Sequence, residues 1–408
     1  AVHRLRYLAK GIVMQPMLPT SGVRRVIYLC FNRALADVVR QMIHTLYGGQ
    51  VPGNVEVSTL DKWADSYLAQ RGVLSSKGSG AEAIYRREKT PLDYLLANRM
   101  KDVDYGRLTP HFVAEEIRYV IIGRGIRHLE EYLNVARAGR KTGLRESERR
   151  LVWRLYEERE AFLRQRSSTS VEKYAAMALA VLADDATFVP YDAVIVDEAQ
   201  DFTPIALRLA MRLAGNQLAR ISVFGDAAQS IYPTGFSWSL PELSPQSREL
   251  HRLTRNHRNT AQIYELANAL LGGGVGPSEP DAYVTADRPI STGLVPVLVT
   301  CPDSQMQLRE VAMRIRGQLD DGVSQQTIGV LCGKRSQMKE MASALREAGI
   351  SVETQGQIHL TQPSVKVLTM HSAKGLDFPH VYLIGLTDDG IPGMSLDVGD
   401  PYYDELEK

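Results

Sequence analysis

The segment YDAVIVDEAQDFTP, residues 191–204, joins an apolar run to two adjacent carboxylates, Asp197 and Glu198. A short continuous apolar run is the mark of a strand buried in a parallel sheet. The C-terminal end of such a strand is where α/β sheets bind ligands. Two carboxylates there can divide the chemistry of a phosphoryl transfer: Asp197 is suited to hold Mg2+ through coordinated waters, and Glu198 to orient and deprotonate a water that attacks a γ-phosphate. A lone apolar-Asp-Glu string is as often structural. Gln200 and Asp201 complete VDEAQD, a string much rarer by chance.

Three further strings carry polar residues in similar settings. ISVFGDAAQSIYPTGFSW, residues 221–238, is a strand followed by a turn at Gly225 and Asp226, with Gln229 placed to report a γ-phosphate to the segment beyond. That segment holds Tyr232, Phe236 and Trp238, aromatics suited to stacking on bases irrespective of sequence. In LTRNHRNT, residues 253–260, Arg258 offers a bidentate guanidinium to transferring phosphate oxygens. In VKVLTMHSAKGLDFPHVYLIG, residues 365–385, a strand, a turn with Gly375 and a second strand present His371 and Ser372 to a nucleic acid and Asp377 to a nucleotide ribose.

The elements that position these residues alternate. Apolar runs at 26–31, 191–199, 221–226, 328–333 and 365–370 are separated by helical stretches, which predicts an α/β fold with parallel sheets covered on both faces. From about 66 to 185 no such run occurs, and segments such as RESERRLVWRLYEEREAFLRQR place apolar residues at helical spacing. A helical insertion into the first α/β domain is expected there. Residues 118–166 hold thirteen Lys/Arg against seven Asp/Glu, readable as a solvated helix face or as a surface that tracks phosphates. Gly-, Ser- and Pro-rich stretches at 75–82 and 270–280 mark loops, the second a link between two domains.

Taken in order, VIYLCFNRALA, VSTLDKWA, VDEAQD, GDAAQSIY, RNHRNT and VLTMHSAKGLDF resemble motifs Ia, Ib, II, III, IV and V of superfamily 1 DNA helicases of the UvrD/Rep type. The resemblance runs through nearly the whole chain. It implies two RecA-like P-loop NTPase lobes that bind ATP and Mg2+ between them: residues 1–65 and 186–272 as the first, interrupted by a helical insertion at 66–185, and 273–408 as the second. It implies 3′→5′ translocation on single-stranded DNA or a single-strand/duplex junction. Phe31 and Asn32 fall where motif Ia meets the strand, and Thr59 with Trp63 where motif Ib does; Asp197, Glu198, Gln229 and Arg258 match the metal ligand, the base, the γ-phosphate sensor and the transition-state arginine.

The chain departs from the family at His257, where Tyr is usual, at Asp377, where Glu is common, and in the FSW string after Gly235. Motif V follows IGVLCGKRSQMKEMASALREAGISV almost at once, so the large second insertion of longer helicases is missing. That compactness suits a translocase, or an ATP-gated remodeller acting on a repair, nuclease or RNA polymerase partner. No GxxxxGK[ST] string occurs; the Gly333–Lys334 step is followed by Arg335. AVHRLRYLAK resembles the helix that follows such a loop and DPYYDELEK the approach to motif VI, so residues 1–408 alone are expected to lack turnover that the parent protein has.

Composition limits the alternatives. At 408 residues, 44% apolar and 23% charged, the chain has material for several cores, and its short apolar runs predict no membrane span. Cys30, Cys301 and Cys332 are too dispersed for a zinc site or a disulfide framework, which points to a reducing, cytoplasmic compartment. A net charge of +1 confines any basic surface to local patches.

Overall fold

The computed structural model describes residues 1–2, 5, 25–75, 84–88, 90, 92–101, 105–137, 140, 142–226, 229–230, 232–234, 236, 251, 253–271, 287–354, 358–359 and 361–387. Trp238 and most of the stretch expected to link two domains lie outside the described residues.

The first sheet consists of β1 (Val26–Cys30), β2 (Val55–Thr59), β5 (Ala193–Val196) and β6 (Ile221–Val223), all parallel, in the order β2-β1-β5-β6. Every residue of β1 is buried, because alternate side chains enter different cores. Ile27 and Leu29, with Val194 and Val196, pack under the helices Leu60–Gln70, Tyr174–Asp184 and Pro204–Leu213. Tyr28, Cys30 and Ile195 pack on the other face under the helix Arg33–Leu46. The chain turns from strand to helix with little waste. Asn32 and Thr59, at the ends of β1 and β2, accept the N–H groups of Leu35 and Lys62 and so cap the helices that follow.

Between these strands lie the helices Leu92–Met100, Pro110–Glu115, Leu129–Asn134 and Glu146–Gln165, and a π-helical turn Glu116–Ile122, around a core of Leu96, Phe112, Ile117, Val152 and Trp153. The apolar pattern predicts no strand in this region, yet β3 (Arg86–Arg87) pairs with β4 (Ser168–Thr169). Two-residue strands have no apolar run to announce them. The local basic excess is also smaller at the surface than the count implies: Arg137 and Arg140 are buried against Glu115 and Glu116, and Arg159 against Glu160 and Glu172.

The second sheet holds β7 (Ile328–Cys332), β8 (Val352–Thr354), β9 (Val365–Thr369) and β10 (His380–Ile384), parallel, in the order β10-β7-β9-β8. The two strands flanking Gly375 therefore do not pair; β7 lies between them. The sheets meet where Val38 packs on Ile358, Leu368 and Ala373. Gly375, at φ +80, is held here on two counts: a side chain would be strained, and a Cβ would stand 3.1 Å from Leu35. No helix among the described residues is long and apolar enough to cross a membrane.

Candidate nucleotide and nucleic-acid site

In the first sheet the chain leaves β1 toward β2 on one side, and β5 adds on the other. The crevice beyond the C-terminal ends of β1 and β5 is thus a topological switch point, where open α/β sheets bind ligands. Phe31 and Asn32 follow β1, and Asp197 and Glu198 follow β5. Asp197 continues the ladder, its N–H bonding to Leu29 O at 2.9 Å, and its Oδ2 accepts the phenol of Tyr28 from the neighbouring strand. One carboxylate oxygen is thereby fixed in direction.

Glu198 has φ 55 and ψ 45, a left-handed backbone that a residue with a side chain adopts at a cost. Burial raises its carboxyl pKa above the ordinary value, and the neighbouring Asp197 charge adds to this, against the lowering effect of a hydrogen bond from Gln200. A partly desolvated carboxylate with one oxygen held by an amide at 2.6 Å is suited to accept a proton.

Gln229 stands exposed on the loop after β6, its Nε2 donating to Asp226 at 2.7 Å. Lys374, from the turn after β9, crosses to the first sheet: its ammonium donates to Asp201 Oδ1 at 2.7 Å and to the carbonyl of Gln229 at 2.5 Å. Its own carbonyl accepts the Asn32 side-chain amide at 3.2 Å. Sequence reasoning passed over Lys374. Its place in AKG beside Gly375 was the available signal, but its partner lies 173 positions away.

The aromatic candidates separate. Tyr232 lies 4.9 Å from Phe31, 5.9 Å from His371 and 6.4 Å from Tyr119, ring centre to ring centre, so three regions of the chain converge on one ring. Tyr119, on the π-helical turn, was not anticipated. A cleft of about 310 Å3 opens beside them, lined by Phe31, Arg118, Tyr119, Asp201 and Phe202. His371 is exposed, and desolvation, then Lys374, depress its pKa, which favours a neutral ring. Phe236 is half-buried against the first core.

Three residues expected at the nucleic acid turn inward instead. Trp63 is 7% exposed, stacks on Tyr67 and donates its indole N–H to Tyr191 at 3.0 Å, because it shares the sheet-facing side of its helix with Leu60, Ala64 and Tyr67. Thr59 is buried with its hydroxyl spent on the helix cap, and buried Ser372 is bonded to Thr369 at 2.9 Å. Arg258 and Asp377, expected at a phosphate and a ribose, face each other at 2.8 Å, both well exposed.

The model of the UvrD/REP helicase N-terminal domain matches residues 19–237, more than half of the chain, and that of the UvrD-like helicase C-terminal domain matches residues 355–405. The chain belongs to the UvrD/REP helicase family. It is 24% identical over 216 residues to a probable DNA helicase of Mycoplasma pneumoniae, across 51% of this chain and 38% of that protein. It is 28% identical over 176 residues to the ATP-dependent DNA helicase UvrD2 of Mycobacterium tuberculosis, across 41% of this chain and 24% of the relative. A shorter stretch of 60 residues, 14% of this chain and 8% of the relative, is 42% identical to DNA helicase II of Escherichia coli. The matched region thus spans well under half the length of each of these relatives.

Proposed function

We propose that this chain forms the motor of a DNA-dependent ATPase that moves 3′→5′ along single-stranded DNA and opens duplex ahead of it. The observation that carries this reading is the convergence of Glu198, Gln229 and Tyr232 around the switch-point crevice, with Lys374 entering from the second sheet. The residues fit a nucleotide carried with Mg2+. Asp197, at the end of β5 with its Oδ2 bonded to the Tyr28 phenol, is the carboxylate that would hold such an ion, the remaining ligands coming from waters and phosphates. When bound, Mg2+ neutralises phosphate charge and orients the oxygens for in-line displacement.

In this reading Asp197, oriented by Tyr28, would hold the ion through its waters, and Glu198 orients the attacking water and takes its proton. Gln229 contacts the terminal phosphate. Arg258 exchanges Asp377 for phosphate oxygens, which its exposure permits. Lys374 couples closing of the lobes to the loop that carries Gln229, since it holds that residue's carbonyl. Tyr232, Phe31 and His371 offer faces to bases. The 408 residues hold no GxxxxGK[ST] loop, so they are expected to show no turnover by themselves.

The short connection 355–364 between β8 and β9 favours a second reading, an ATP-gated remodeller of a protein on DNA that unwinds weakly. Strand displacement by the full-length protein separates the two. Phosphate release stimulated by single-stranded DNA, with displacement on 3′-tailed but not 5′-tailed duplex, is expected for a helicase. Stimulated turnover without displacement on either substrate identifies the remodeller, and turnover indifferent to DNA overturns both.

A further inference from the structure

Gln200 is fully buried, and every polar group of its side chain is engaged. Its amide nitrogen donates to Glu198 Oε2 at 2.6 Å, and its amide oxygen accepts the backbone N–H of Asp226 at 3.0 Å. Its backbone carbonyl accepts the hydroxyl of Thr234, itself 1% exposed, at 2.7 Å. Asp226 and Thr234 bracket the loop that carries Gln229 and Tyr232. The approach is close enough to dictate its neighbour: a Cβ on Gly225 would stand 2.9 Å from the Gln200 amide oxygen, so only glycine fits without displacing it.

A planar amide with one end on a carboxylate and the other on a backbone N–H cannot shift at one end and stay bonded at the other. Hydrogen bonds need near-linear geometry within a few tenths of an ångström, and an unpaired buried amide is costly. Movement of the Asp226–Thr234 loop therefore has two ways to proceed: carry the amide and Glu198 with it, or break a buried bond. Glu198, whose left-handed backbone is the strained member of this arrangement, is the group whose position the amide sets.

We propose that Gln200 is the positioning residue that transmits strand occupancy at Tyr232 to the carboxylate of Glu198, and, in reverse, nucleotide occupancy to the aromatic cluster. This rests on the roles assigned to Glu198 and Tyr232 above. Gln200 acts through Glu198 and touches neither base nor phosphate. Because coupling between two sites is reciprocal, it is measurable by binding alone, without turnover.

The experiment uses the full-length protein and a fluorescently labelled oligo-dT, titrated with and without a non-hydrolysable ATP analogue, for wild type, Gln200→Met and Thr234→Val. Met keeps the volume and flexibility of Gln while removing both amide contacts. In wild type the analogue changes the oligo-dT dissociation constant several-fold. In Gln200→Met that ratio is expected to fall to near one, and in Thr234→Val to fall part of the way. The double variant is expected to be no worse than Gln200→Met, because both act on one relay. Circular dichroism and thermal unfolding establish that each variant is folded; should Gln200→Met fail to fold, Thr234→Val and Gly225→Ala carry the test, each expected to reduce the ratio. A wild-type ratio above one that survives intact in the folded variants overturns the relay while leaving the functional reading standing. Absence of oligo-dT binding by wild type overturns that reading, and the relay with it.

Discussion

The two sheets are both four-stranded and parallel, yet their strand ends are equipped differently. The first ends in carboxylates and an aromatic, each held by neighbours in its own lobe: Tyr28 on Asp197, Gln200 on Glu198, Phe202 beside Phe31. The second ends in a lysine whose partners belong to the other lobe, and in a glycine that lets a foreign leucine approach. One edge has these contacts met within its own lobe; the other has its contacts met only when the lobes are together. The same architecture thus carries two kinds of contact, decided by the residues placed at the strand ends.

The sharpest test of that division is Glu198→Gln in the full-length protein. A base contributes roughly 10^2–10^4-fold to turnover, so kcat for DNA-stimulated ATP hydrolysis is expected to fall by about that factor, with oligo-dT affinity little changed. Equal losses in turnover and in nucleotide-free oligo-dT affinity would mean that Glu198 shapes the strand site directly and not through Gln200, and the division would fail. Next in size is Lys374→Met. Asp201 is 1% exposed at its side chain and would lose its cation; breaking such a pair costs about 3–5 kcal/mol where the remaining charge cannot be relieved. Burial already raises the Asp201 pKa, so protonation offers relief and the cost is expected at or below the low end. Because the contact lies between lobes, the loss should fall on closure: a kcat decrease of roughly 10-fold or more, partly restored by Lys374→Arg, with the thermal unfolding of the second lobe unchanged.

The division also explains which parts were legible in the sequence. The strands and the carboxylates that end β5 announce themselves because their signal is local, an apolar run and the residues next to it. The contacts that make those residues useful are not local. Tyr28 meets Asp197 across 169 positions and Lys374 meets Asp201 across 173, and no periodicity links such pairs. Burial misled in both directions. Trp63 and Thr59 carry side chains suited to a surface contact but sit on the inward side of a helix start, whereas Arg140 and Arg159 look solvated by composition and are buried in ion pairs. The π-helical turn is equally silent: EIRYVII is apolar enough to serve an ordinary helix, and only the fold brings Tyr119 to Tyr232.

A smaller effect tests whether the helical region belongs energetically to the first lobe alone. Glu148, in the first turn of the helix Glu146–Gln165, accepts two bonds from Arg107, at 2.7 and 2.8 Å, and the N–H of Arg145 at 2.7 Å. The Arg107 guanidinium, with that N–H, holds its pKa down at about 2, against 4.5 for a free Glu. A depressed carboxylate pKa stabilises the fold above the unfolded value, and the contribution is lost as pH falls from there toward the folded one. Partial exposure of Arg107 reduces the effect to about 1–2 kcal/mol. Glu148→Gln is therefore expected to lower amide-exchange protection across 146–165 at pH 7, and to differ little from wild type near pH 2. Protection in β7 and β9 should not respond at either pH. A matching loss there would show the helical region and the second sheet to be one cooperative unit, and the contrast between the lobes would then lie in their chemistry and not in their stability.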